Sequence, residues 1–74
     1  MAKTNLKIPP QDLESEISVL GALMLDKNAV IKVADTLVPQ DFYQSSHQKI
    51  YSAILDLFEK GEPIDLLTVA NKLK

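Results

Sequence analysis

Pro39-Gln40-Asp41-Phe42-Tyr43-Gln44-Ser45-Ser46-His47-Gln48-Lys49-Ile50-Tyr51-Ser52-Ala53-Ile54 is the stretch whose reading decides the fold. It holds a chain break at Pro39, an adjacent aromatic pair, a helix start and the first half of the longest helical pattern in the chain. All four aromatic residues, Phe42, Tyr43, Tyr51 and Phe58, lie in it or just beyond it. One aromatic side chain can bury about 150–250 Å², so in a small domain the other elements are expected to pack around this segment. From His47 the pattern runs His47, Ile50, Tyr51, Ile54 and Phe58, with Leu57 flanking. That spacing is the clearest amphipathic helix in the chain, and it predicts a helix over 46–60. Ser45 and Gln48 have the spacing of a capping box. Gly61 suits the left-handed position after the last turn, and Pro63 follows. Phe42 is expected inside and Tyr43 at the rim, because neighbours in sequence point different ways.

Working toward the N-terminus, Val30, Val33, Ala34 and Leu37 share a helical face and predict a second helix over 29–37, capped by Asn28 or Asp26 and stopped by Pro39. Asp41 is expected to cap a brief turn with its side chain. Ahead of that, Leu13, Ile17, Leu20 and Met24 form a stripe, widened by Val19 and Leu23, that predicts a first helix over 13–25. Asp12 is its expected N-cap. Glu14 and Glu16 complement the positive end of its dipole and read as solvated charges. Gly21 sits in mid-helix, where it costs about 1 kcal/mol against alanine; close approach of another helix backbone would explain it. Residues 1–10 read as a polar, flexible arm ending at Pro9-Pro10, leaving 11–74 as a single helical domain. Toward the C-terminus, Asp65 is the expected cap of a fourth helix over 66–74, with Leu66, Val69, Ala70 and Leu73 as its apolar face. The expected architecture is all-α, a small bundle of four short helices.

Composition limits the chemistry. The chain has 74 residues, a formal net charge of −2 and 46% apolar residues, with no cysteine and one histidine. Disulfides, thiolate metal sites and His-rich metal sites are thereby excluded. No apolar run approaches the ~20 residues of a membrane span, and no apolar signal core follows the N-terminal lysines, so a cytoplasmic protein is expected. The only glycines are isolated, and the phosphate-loop pattern G-x-x-x-x-G-K-[ST] is absent. Ser45, Ser46 and His47 are neighbours, but helix initiation and packing explain them better than nucleophilic catalysis. Glu14 and Glu16 are two residues apart and diverge on a helix, unlike a convergent acid–base pair. A helix-turn-helix reader would want basic residues on its recognition helix; here Lys49 and Lys60 stand beside Asp56 and Glu59, and no arginine occurs. The residues thus describe a noncatalytic module for protein contacts, with no catalytic, cofactor or metal residue. A small helical nucleic-acid-binding domain is the alternative.

The order of short motifs points further. Pro9-Pro10, Leu13-Glu14-Ser15-Glu16, Val19 to Asp26, Leu37 to Tyr43, His47-Gln48-Lys49-Ile50-Tyr51, Ala53-Ile54, Pro63-Ile64-Asp65 and Thr68-Val69 together resemble the N-terminal domain of the bacterial replicative DNA helicase, the DnaB-type family. The resemblance covers residues 9–74. It implies an all-helical globular part followed by a helical hairpin, and pairing of such domains into a trimer of dimers that forms a collar over the motor ring. It also implies recruitment of primase through the primase C-terminal domain, and an influence on helicase loading. ATPase work belongs in that family to a separate RecA-like motor domain. This chain is expected to lack both motor and hairpin. Other helicase subunits and primase are therefore its expected partners, with direct nucleic-acid binding not expected and the chain alone a monomer or weak dimer.

Overall fold

A computed structural model describes residues 12–74; the expected arm over 1–10 lies outside the described residues. The described chain is helical, in the order α1 (Leu13–Leu25), α2 (Lys27–Val33), a 3-10 turn (Pro39–Asp41), α3 (Ser45–Glu59) and α4 (Leu66–Lys72). α1 packs against α2 and α3, and α3 also carries the 3-10 turn and α4. α3 is thus the element the others are built on.

Local chemistry accounts for most of the boundaries. The Asp12 side chain accepts hydrogen bonds from the Ser15 N–H at 3.0 Å and the Ser15 hydroxyl at 2.8 Å, so α1 starts where the N-cap expectation put it. Asp26 both ends α1 and starts α2. Its N–H donates to the Ala22 carbonyl at 3.0 Å, and its carboxylate accepts from the Asn28 N–H at 2.9 Å. α2 therefore begins two residues earlier than the expected 29. It also stops at Val33 rather than 37, where the regular ladder breaks and one carbonyl, that of Val33, accepts from both the Thr36 N–H at 3.0 Å and the Leu37 N–H at 2.8 Å, a shared bond of the kind found at helix ends. Pro39 opens the 3-10 turn, in which the Asp41 carboxylate accepts from the Val38 N–H at 3.0 Å. α3 ends in a Schellman arrangement. Gly61 has φ +69°, the Glu62 N–H donates to the Leu57 carbonyl at 2.9 Å, and the Gly61 N–H donates to Phe58 at 3.1 Å. α4 starts with a reciprocal box: the Thr68 N–H donates to the Asp65 carboxylate, and the Asp65 N–H donates to the Thr68 hydroxyl, each at 2.9 Å.

The core comprises Leu20, Leu23, Val30, Val33, Leu37, Phe42, Tyr51, Ala53, Ile54, Leu57 and Val69. Phe42 and Tyr51 sit at its centre with ring centroids 5.2 Å apart and planes tilted by 38°, a favourable aromatic geometry. The Tyr51 hydroxyl donates to the Leu37 carbonyl at 2.7 Å. That one bond pairs the buried Leu37 carbonyl with a donor from α3. Burial, with the nearby Asp41 charge, pushes the Tyr51 phenol up to about 12.

Three expectations about faces are corrected. On α1 the buried side is Glu16, Leu20 and Leu23, whereas Leu13 and Ile17 are exposed; the helix is turned so that Glu16 points inward. Gly21 has no helix against it, since an added Cβ would meet nothing within 4 Å. α4 ends at Lys72 and buries only Val69, leaving Leu66, Leu67 and Leu73 exposed.

Two substitutions test this core. Phe42→Ala removes a ring with 1% exposure and is expected to cost about 3–5 kcal/mol, enough to unfold much of a small domain in a thermal melt. Tyr51→Phe keeps the packing but orphans the Leu37 carbonyl, at about 1–2 kcal/mol. Its melting temperature should fall by about 5–15 °C; an unchanged melt would show that the hydroxyl contributes nothing.

Candidate functional site

The polar centre of the molecule is a cluster that no single segment of sequence contains. Glu16, on α1, is fully buried. Its Oε2 accepts from the Tyr43 N–H at 2.5 Å, and its Oε1 accepts from the Gln44 N–H at 3.3 Å. Nδ1 of His47 lies 2.7 Å from Oε1. A carboxylate only accepts, so Nδ1 is the protonated ring nitrogen in this pair.

This arrangement replaces the expected capping box. Gln44 is the N-cap of α3 and makes no side-chain cap bond. Ser45 is already inside the helix, and Gln48 donates from Nε2 to the Phe42 carbonyl at 2.7 Å. In a capping box, a glutamate in the first turn reaches back to the N-cap N–H. Glu16 does the same from another helix, and its negative charge meets the positive end of the α3 dipole. Burial pushes the Glu16 carboxyl up; the hydrogen bonds from His47, Tyr43 and Gln44 outweigh it and hold the group below its ordinary value of 4.5.

The cluster does not assemble a reaction centre. Ser45 and Ser46 precede His47 directly, and residues one and two apart do not face each other on a helix. Both serines are exposed, whereas the His47 side chain is 14% exposed and held by Glu16. Glu14 faces solvent, so the two acidic residues of the first turn diverge as expected, although only one is solvated. Among the described residues there is no group of three or more His, Cys, Asp or Glu that could hold a metal, and no helix is long and apolar enough to cross a membrane. No buried side-chain nitrogen or oxygen among them lacks a hydrogen-bond partner.

The surface carries two other features. Asp56 on α3 pairs with Lys60 at 3.3 Å and with Lys72 of α4. Hydrogen bonds from Lys72 and Lys60 hold its carboxyl low, and Asp56 in turn raises the Lys72 ammonium. Two of the lysines at this end thus share one carboxylate rather than spreading into a basic face. The second feature is apolar. Leu66 is 75% exposed and Leu67 70%, with Leu73 and Ala70 beside them on the outer side of α4. Two leucines on a seven-residue helix and a third just past its end, with Val69 the one buried residue, form a face with no partner inside the described chain. The helical spacing named Leu66 and Leu73 in advance, but as core.

The Glu16 cluster dictates an acid limit. A group whose folded value is lowered stabilises the fold above its unfolded value and loses that contribution as protons bind. Stability should therefore be full above pH 4.5 and decline as pH falls below it, through the lower folded value. Glu16→Gln is expected to cost about 3 kcal/mol at neutral pH and to flatten this acid limb. Melts of both proteins across the acid range check it; parallel curves would contradict the assignment.

Comparison with known proteins agrees with this geometry. Residues 8–74 match the family model described as the DnaB-like helicase N terminal domain. The chain is 49% identical over 69 residues to the replicative DNA helicase DnaC of Bacillus subtilis, covering 93% of this chain and 15% of that protein. It is 52% identical over 65 residues to the replicative DNA helicase DnaB of Mycobacterium leprae, covering 88% of this chain and 11% of that one. Among solved structures, the N-terminal domain of DnaB helicase from Mycobacterium tuberculosis superposes with a TM-score of 0.82 at 53% identity, covering 89% of this chain and 47% of that one. The chain thus spans a small fraction of the length of the curated helicases it matches. With family model, sequence relatives and fold in agreement, the chain belongs to the DnaB-like helicase N-terminal domain family.

Proposed function

We propose that this chain is a noncatalytic assembly module of a replicative DNA helicase, contributing to the N-terminal collar of the hexamer and to recruitment of primase or a loader in the cytoplasm. The observation that carries this reading is the uncovered apolar face of α4, with Leu66 and Leu67 largely exposed, while among the described residues every buried side-chain polar atom is paired. Exposed apolar surface of this kind marks a contact site. On this reading the domain over 11–74 takes no part in catalysis, and the ATP-dependent work belongs to a separate motor domain, as the match to about 15% of a helicase's length supports. Membership of the helicase family supports the replication context.

Direct nucleic-acid binding is disfavoured by the same surface. Net charge is −2, and Lys60 and Lys72 are engaged by Asp56. Binding to phosphate would require free cations and would strengthen steeply as salt falls.

Titration of the isotope-labelled chain with a primase C-terminal domain tests the reading. Shifts confined to α4 and its neighbours are expected. Leu66→Asp with Leu67→Asp should abolish them while changing stability by no more than about 0.5 kcal/mol per site. No shifts anywhere, beside clear binding by a longer chain that includes the hairpin, would reduce this segment to a scaffold.

A further inference from the structure

Hydrogen bonding divides the described chain just after Glu62. α1 is bonded to the start of α3 through Glu16, and the segment after α2 is bonded to α3 through the Tyr51 hydroxyl. α3 completes its own C-terminal cap, with the Gly61 and Glu62 N–H groups on the Phe58 and Leu57 carbonyls. Beyond that point the hydrogen bonds of residues 63–74, among the described residues, stay within the segment. What joins α4 to α3 is Val69 in the core, the partly buried Ile64 and the ion pair of Lys72 with Asp56. Packing across this joint is incomplete. An open cleft of about 350 Å³, lined by Leu57, Glu62, Thr68, Asn71 and Lys72, lies between the two helices.

We infer that α4 is a lid: residues 63–72 leave α3 and return to it as one unit, hinged after Glu62, while α1, α2 and α3 stay folded. Asp56 is the catch. It also pairs at 3.3 Å with Lys60, one turn along its own helix, so the carboxylate keeps a cation when Lys72 departs and opening orphans no charge. The cost of opening is the re-exposure of Val69, Ile64 and the side of Leu57 beneath them, offset by the chain entropy the segment regains. A seven-residue helix is well below the about 12–15 residues that hold a helix in water, so α4 loses its helix as it opens. The apolar face of Leu66 and Leu67 therefore exists only in the closed form. Because the catch is an exposed ion pair, ionic strength sets how much of that face is offered.

This regulation rests on the assembly reading for its consequence alone. The opening is measured without any partner, so the two can fail separately.

Amide hydrogen exchange of the 74-residue chain, followed residue by residue by NMR, tests it. The amides from Thr68 to Asn71 should share one protection factor, at least about tenfold below that of the α1 and α3 interiors. Salt at about 1 M should lower theirs alone. Asp56→Asn should lower it about two- to fivefold and leave α1 to α3 unchanged. Lys60→Ala, which leaves the carboxylate to Lys72, should raise it. Val69→Ala should strip protection from α4 while the rest of the domain keeps its own. α4 amides that exchange only with the whole domain, and respond to Val69→Ala by the same factor as α1 and α3, overturn the inference. So does protection graded from Thr68 to Asn71, which is fraying, or α4 exchange that is indifferent to salt and Asp56→Asn or that quickens with Lys60→Ala.

Discussion

One buried carboxylate sets the relation between α1 and α3. Glu16 carries its charge out of water to accept two backbone N–H groups at the start of α3 and to hold the His47 ring. An isolated charge in that position would be strongly unfavourable. It is tolerated because its partners are charge-complementary and already arranged by the helix end, and because those N–H groups would otherwise be orphaned. The bond set is also specific in direction. Tyr43 and Gln44 lie in the bend between the 3-10 turn and α3, and across that bend the Phe42 ring is buried while Tyr43 stays outside.

From that turn the rest of the core follows. Phe42 meets Tyr51, two turns along α3 from the chain reversal, and the Tyr51 hydroxyl fixes the end of the segment after α2. α1, α2 and α3 are therefore tied by packing and by hydrogen bonds across long sequence separations. α4 is held by less: Val69 in the core and Lys72 on Asp56. Among the described residues every buried side-chain nitrogen and oxygen has a hydrogen-bond partner, while apolar surface is left outside on α4 and α1.

Much of this was legible in the residues. The four helices, the caps at Asp12 and Asp65, the Asp41 turn, the Gly61 stop and the Phe42–Tyr43 division depend on chemistry within a few positions, and local hydrogen bonds enforce them. The stretch Leu37 to Tyr51 also carried the family resemblance, because the same residues build the fold. What misled the reading was competition between two stripes on α1. Leu13, Ile17, Leu20 and Met24 fit a helical face, but so do Glu16, Leu20 and Leu23, and only the second was buried. Spacing alone favoured the stripe without a charge. A glutamate four residues before one core leucine and seven before another was the available signal. The expected Ser45–Gln48 box failed for the same reason: a stronger acceptor arrived from elsewhere in the chain.

Sequence by itself determined the helical class, the positions of the breaks and most caps, and the absence of a phosphate loop, because each rests on neighbours in the chain. Only the tertiary structure decided which side of α1 is inside, what caps α3, and how little of α4 is covered. Those outcomes depend on groups up to 31 residues apart, whose meeting is settled by packing geometry and by the cost of leaving a buried charge or a helix end without a partner.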